Sequence, residues 1–317
     1  MRRTFAAAAL AAGLLTALPA AAQDRLTVLL DWFVNPDHAP LVVALEKGFF
    51  KEAGLDVTLT APADPNDPPK LVAARQADLA VSYQPQLQIQ VGQGLPLLRV
   101  GTLVSTPLNA VVALRDGPVA TIGDLKGRKV GFSVGGFEDA LLGAMLGKHG
   151  LALGDVELVN VNFSLSPALL SGQVDAVIGA FRNFELNQLD IEKKPGRAFY
   201  PEEEGVPPYD ELILVAHRDA AAAPAAAGRI KRFLEAVERA TFYILNHPED
   251  AHAAFIKDRP ELNDELNRRA WAATLPRFSH SPAALDEARY ARFAAFLKAG
   301  GLIAEVEPVE RYAVVLK

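Results

Sequence analysis

The chain has 317 residues, half of them hydrophobic and 22% charged, so it can form one large or two medium cored domains and does not have a disordered composition. The 38 acidic residues outnumber the 32 basic ones, for a net charge of −6. No basic run exceeds two residues, which removes the usual footprint for nucleic acid. The absence of cysteine excludes disulfides, thiolate nucleophiles, iron–sulfur clusters, thiolate zinc sites and a cysteine-borne lipid anchor.

Residues 1–22 read as an export leader. Arg2 and Arg3 precede an apolar run from Phe5 to Leu18, and Ala20, Ala21 and Ala22 supply small residues for cleavage before Gln23. Removing the leader takes away two arginines and no acid. No later stretch has 18 uninterrupted apolar residues, so no further membrane span is expected. The expected location is the periplasm, without an anchor.

Arg25–Leu30 predicts a strand, and Asp31–Pro40 leaves it as a polar loop. A helix over Leu41–Lys51 is expected to stop near Gly48, and Leu55–Ala61 alternates as a strand. Pro62–Pro69 holds four prolines and reads as a loop whose last two prolines open a helix continuing through Lys70–Gln76. Asp78–Ser82 is the third strand. The pattern then restarts. Ala110–Leu114 and Lys129–Ser133 predict strands, Gly135 and Gly136 lead into a helix over Phe137–Lys148, and Glu157–Val161 and Ala176–Ala180 flank a helix at Pro167–Ser171. A proline-rich insertion, Pro201–Pro208, precedes a strand at Ile213–Ala216. From Ala225 the chain is mainly helical, over Arg229–Leu245, Glu249–Phe255, Asn263–Ala273 and Ser281–Lys298. Alternating strands and helices predict parallel α/β construction. The pattern fits two serial domains, and it equally fits a chain that crosses twice between two units.

The segment LTVLLDWFVNPDHAPLVVALEKGFFKEAGLDVTL (residues 26–59) resembles the opening of the thiamine-pyrimidine-precursor family. That family comprises periplasmic binding proteins for formylaminopyrimidine-type compounds and the related fungal pyrimidine synthases. The block after the first strand carries Asp31, Trp32, Asn35 and His38 at the family's spacing. Lys47–Val57 is shared more widely, with binding proteins for nitrate, sulfonates and taurine. Similar order continues through Gln76–Ala80, Asp124–Gly131, Gly172–Ala176 and Ile230–Leu245.

The resemblance implies an α/β, two-lobed periplasmic binding protein fold of type II-like build, with its ligand in the interlobe cleft. The lobes would be residues 23–110 with 214–317, and residues 111–213. The implied function is capture of a thiamine pyrimidine precursor, such as formylaminopyrimidine or a hydroxymethylpyrimidine-like compound, for an ABC permease in the inner membrane. The alternative is the same scaffold binding another heteroaromatic or a sulfonate- or nitrate-type anion. A monomer without cofactor, metal or catalytic residue is expected.

The candidate ligand residues come from the strand ends, where open α/β sheets collect ligands. Trp32 offers a flat stacking face, Asn35 can donate and accept, and His38 can donate to a ligand or cap the following helix. Tyr83 follows the third strand with a ring and a hydroxyl. Gly135 and Gly136 free backbone amides before a helix. Asn183, Phe184 and Glu185 follow the strand at Ala176. In the family, the acid of that segment, here Glu185, partners the amino group of the pyrimidine. Tyr209 is a candidate wall. The fungal synthases carry a lysine where this chain has Gln76, and a cysteine-rich stretch that it lacks. Pro40 replaces a common glycine, and Asp37 stands where threonine or tyrosine is frequent. The six histidines are scattered, and none forms a pattern for a metal.

Overall fold

A computed structural model describes residues 23–316. The expected leader, residues 1–22, lies outside the described residues. The strands divide between two five-stranded sheets. The first has the order β2–β1–β3–β10–β4, built from β1 (Asp24–Leu29), β2 (Leu55–Thr60), β3 (Leu79–Ser82), β4 (Leu97–Val104) and β10 (Leu212–His217). The second has the order β7–β6–β8–β5–β9, built from β5 (Asn109–Leu114), β6 (Lys129–Phe132), β7 (Glu157–Asn160), β8 (Ala176–Phe181) and β9 (Gly196–Phe199).

Each sheet is parallel except where the chain arrives from the other one. β10 runs antiparallel between β3 and β4, and β5 runs antiparallel between β8 and β9. The chain passes from the first sheet to the second through residues 105–108 and returns through 200–211. Both passages fall a few residues ahead of the expected divisions after 110 and 213. Serial, independent domains are therefore not what the chain builds.

Alternation explains β2, where Leu55 and Val57 are buried while Asp56 and Thr58 are exposed. It registers with β1 from Asp24 opposite Leu55 to Leu29 opposite Thr60. The expected helix over 41–51 is instead two helices, Ala39–Glu46 and Phe49–Glu52. They are parted at Gly48, whose φ of +76° is left-handed. Both pack under the long helix Pro224–Asn246, which buries Ile230, Phe233, Leu234, Val237, Ala240, Thr241 and Ile244 along one stripe. Phe233 stacks on Phe50 with ring centroids 4.9 Å apart.

The C-terminal segment covers the outer edge of the first sheet. Arg99 on β4 is fully buried and donates to the carbonyls of Pro282, Ala283, Ala284 and Val314 and to the Thr102 hydroxyl. Thr102 N–H also donates to Pro282 O. These carbonyls are thereby drawn to β4, and the expected helix from Ser281 starts only at Glu287, capped by Asp286.

Candidate functional site

Five chain segments meet in the cleft between the sheets. From the first lobe come the Asp31–His38 segment after β1 and Tyr83 after β3. From the second come Ser133–Glu138 after β6, Leu165 at the start of the helix Leu165–Leu170, and Gly179–Glu185 at the end of β8. The space among these residues, counted out into open solvent, comes to about 460 Å³. Its aromatic walls are Trp32, Tyr83, Phe137, Phe181 and Phe184, with Leu165; its polar groups are Asp31, Asn35, Asp37, Glu138 and Glu185. None of these lining residues is Arg or Lys.

The first-lobe segment is held by its own hydrogen bonds. Asn35 caps the 3-10 turn Pro36–His38: its Oδ1 accepts from Asp37 N–H at 2.8 Å and its Nδ2 donates to Phe33 O at 3.2 Å. Asn35 N–H donates to His38 Nδ1 at 3.3 Å, which leaves the proton on Nε2 to be donated to Asp31 Oδ1 at 2.8 Å. The Tyr83 hydroxyl donates to Asp31 Oδ2, also at 2.8 Å. His38, Asp31 and Tyr83 thus form one buried chain that fixes the Tyr83 ring, and that ring stacks on Phe137 of the other lobe, 4.9 Å away and 16° from parallel. Burial, followed by the Asp31 charge, pushes the Tyr83 phenol well above its usual pKa, so it stays a neutral donor.

The second lobe contributes two buried carboxyls, each tied down by one oxygen. Glu185 Oε2 accepts from Phe181 N–H at 2.7 Å, and Glu138 Oε2 from Ser133 N–H at 2.7 Å. Their Oε1 atoms make no hydrogen bond to the described protein. Burial pushes both groups up to about 8, against the pull of those amides. Glu138 acts electrostatically on Tyr83, and Asp37 acts on Glu185, so carboxyls from both lobes face one another across the cleft. Gly179 on β8 makes room for one of them. Its φ is +98°, and a Cβ there would lie 2.4 Å from Glu138 Oε1.

Of the residues anticipated from sequence, Trp32, Asn35, Tyr83, Phe184 and Glu185 line the cleft. Trp32 meets Phe163 of the second lobe edge-on at 4.6 Å. The Asn35 amide is engaged within its own turn. His38 is fully buried and not among the lining residues, and both of its ring nitrogens are occupied, by Asn35 N–H and by Asp31 Oδ1. The Gly135 amide is taken by Asn66 Oδ1 of the first lobe at 3.0 Å, and Gly136, with φ of +79°, only turns the chain into the helix. Asn183 is buried between the lobes, its Nδ2 donating to Asp37 Oδ1 and Thr274 Oγ1. Tyr209 is fully buried against Phe293, away from the cleft. Asp31, Asp37, Phe137, Glu138, Leu165, Gly179 and Phe181 complete the lining. Glu138 was readable only as a helix first-turn acid, and nothing in the linear pattern distinguishes Gly179 within its strand. Among the described residues no His, Asp or Glu cluster could hold a metal ion, and no helix is long and apolar enough to cross a membrane.

The model of NMT1/THI5-like proteins matches residues 35–251. The chain belongs to this family. It is 54% identical over 303 residues to a Haemophilus influenzae protein named for thiamine biosynthesis, covering 95% of each chain. It is 33% identical to the formylaminopyrimidine-binding protein of Halalkalibacterium halodurans, over 77% of this chain and 74% of that one. Among solved structures, the alkanesulfonate-binding protein of Xanthomonas axonopodis pv. citri superposes with a TM-score of 0.72 at 16% identity, covering 92% of this chain and 98% of that one. This NMT1/THI5-like chain has the two-lobed periplasmic binding protein fold.

Proposed function

We propose that this protein is the solute-binding component of an ABC importer in the periplasm, and that it captures an unphosphorylated, amino-substituted pyrimidine of the thiamine-precursor class. The lobes are taken as the units carrying the two sheets, joined at 105–108 and 200–211. One observation carries the reading: the aromatic cleft holds buried carboxyls from both lobes and no lysine or arginine in its lining.

Such a cleft suits a flat ring bearing amino groups. An ionised Oε1 accepts from an exocyclic amino group, and a protonated one donates to a ring nitrogen. With pKa values near 8, Glu138 and Glu185 supply either role near neutral pH. The same cleft repels a sulfonate, a nitrate or a phosphate ester, each of which needs cations or clustered free amides. The relative in Halalkalibacterium halodurans, named for formylaminopyrimidine, supports this ligand class.

The test is calorimetric titration of refolded, ligand-free protein. The expected result is binding of 4-amino-5-hydroxymethyl-2-methylpyrimidine, with no heat from its phosphate ester or from an alkanesulfonate. Tight binding of the sulfonate and none of the pyrimidine would overturn the reading.

A further inference from the structure

Asp37 is the one cleft carboxylate that also ties the lobes together. It sits in the turn Pro36–His38 of the first lobe, 1% exposed. Its Oδ1 accepts from Asn183 Nδ2, in the second lobe, at 2.6 Å. The Thr274 hydroxyl, on the helix Glu265–Thr274, is 3.2 Å from the same oxygen but only 2.7 Å from Ala270 O. With a single proton to give, Thr274 leaves Asn183 as the firm donor. Asn183 Nδ2 also donates to Thr274 Oγ1 at 2.6 Å, so one amide joins the turn, that helix and the second lobe.

Asp37 Oδ2 is different. It is sealed from solvent, has no hydrogen-bond partner, and belongs to a residue that lines the cleft. Buried carboxylate oxygens are ordinarily satisfied, and an unpartnered one on a residue that lines a binding cleft is an acceptor awaiting a donor.

We propose that Asp37 contacts the ligand and couples its capture to closure: Oδ2 accepts an N–H or O–H of the ligand while Oδ1 holds Asn183, and with it the second lobe. This rests on the interlobe capture of a donor-bearing pyrimidine proposed above. The charged and titratable groups facing Asp37 are Asp31 and His38 from its own segment and Glu185 from the opposite lobe. Asn183 and Thr274 face it uncharged. Burial dominates and pushes Asp37 up to about 6, so the ionised acceptor prevails at neutral pH.

The experiment titrates 4-amino-5-hydroxymethyl-2-methylpyrimidine into wild type, Asp37→Asn and Asn183→Leu between about pH 5 and pH 8. Asp37→Thr serves as a second variant should the asparagine form fold poorly. At the upper pH both Asp37 variants are expected to lose roughly tenfold to a hundredfold in affinity. Their deficit should shrink as pH falls through about 6, because wild-type Asp37 then takes up a proton and stops accepting. The ligand's own ionisation is common to all proteins and cancels in this difference. Asn183→Leu, which keeps Oδ2, should lose less than about tenfold and retain the wild-type pH profile. Wild-type affinity in the Asp37 variants, or a deficit equal at both ends of the pH range, would overturn the inference alone. Failure of wild type to bind the pyrimidine would overturn the capture reading and this inference together.

Discussion

At Glu185 and Glu138, burial and hydrogen bonds from backbone amides pull in opposite directions, and burial dominates. Each carboxyl has a folded pKa of about 8 against an ordinary value of 4.5. The folded protein therefore holds protons that the unfolded chain releases above about pH 4.5. Their contribution to stability is fully present below that pH and is lost as pH rises through about 8. The unfolding temperature of the ligand-free protein should fall between about pH 5 and pH 9, and Glu185→Gln, which cannot titrate, should flatten part of that fall in scanning calorimetry. The same substitution should weaken pyrimidine binding by roughly tenfold to a hundredfold if Oε1 accepts from the ligand as a carboxylate. An unchanged calorimetric affinity would place the protonated acid, which glutamine mimics as a donor, in the complex. Gly179 is the other sensitive residue. Gly179→Ala combines a left-handed backbone with a clash against Glu138, and should cost roughly 1–3 kcal/mol together with a loss of binding, readable by denaturant titration with and without ligand.

Which of these residues the sequence could reveal depended on whether their role was local. Trp32, Tyr83 and Glu185 stand at strand ends, a position that chain order alone identifies. Asn35 and His38 stand there too, but their polar atoms are spent within the Asn35–His38 turn and on Asp31, a use that residue type does not announce. Asp37 and Glu138 became site residues only when two lobes closed around them, and their burial has no signature in the linear pattern.

At the scale of elements, β4 illustrates the same limit. Leu97–Val104 is buried at every position and so shows no alternation, and it contains an arginine that argues against a core strand. The structure resolves the conflict by covering this edge with the chain's end, whose carbonyls surround Arg99. Arg99→Met would fill much of the same space but leave the carbonyls of Ala283, Ala284 and Val314 without that donor, Pro282 O keeping the Thr102 N–H. The expected loss is roughly 3 kcal/mol or more, measurable as a lowered denaturation midpoint. The helix Pro224–Asn246, by contrast, was legible because its apolar stripe repeats at helical spacing over many turns. The break at Gly48 was legible for the opposite reason: glycine is the residue that tolerates the left-handed turn found there.

For the whole molecule, the seam between the lobes is held by side chains from both sides. Asn66 reaches across to donate to Ser133 O at 3.1 Å and accept from Gly135 N–H at 3.0 Å, and Asn183 ties Asp37. The aromatic pairs Trp32–Phe163 and Tyr83–Phe137 close the same seam. Where the two passages meet, Glu211 on the returning one accepts from the Leu108 amide of the outgoing one and the Asn109 amide that opens β5, at 2.6 and 3.0 Å. Asn66→Ala should therefore shift the ligand-free protein toward the open form by about 1 kcal/mol, roughly fivefold in population. Small-angle scattering should show a larger radius without pyrimidine and recovery of the compact form at saturation. An unchanged radius would mean that Asn66 does not contribute to closure.

The placement of β10 also governs how the molecule can be assembled. It is the last strand to be made, yet it lies inside the first sheet, between β3 and β4. The second sheet has all its strands once Phe199 has emerged, whereas the first lacks an inner strand until His217 follows. The half of the protein that is synthesised first is thus the half that is finished last. Pairing between such distant segments is slow, and the open flanks of β3 and β4 stay exposed to other chains while they wait. The exposed flanks belong to the first lobe, and they are covered only when β10 and the later segments that pack on that lobe have been made.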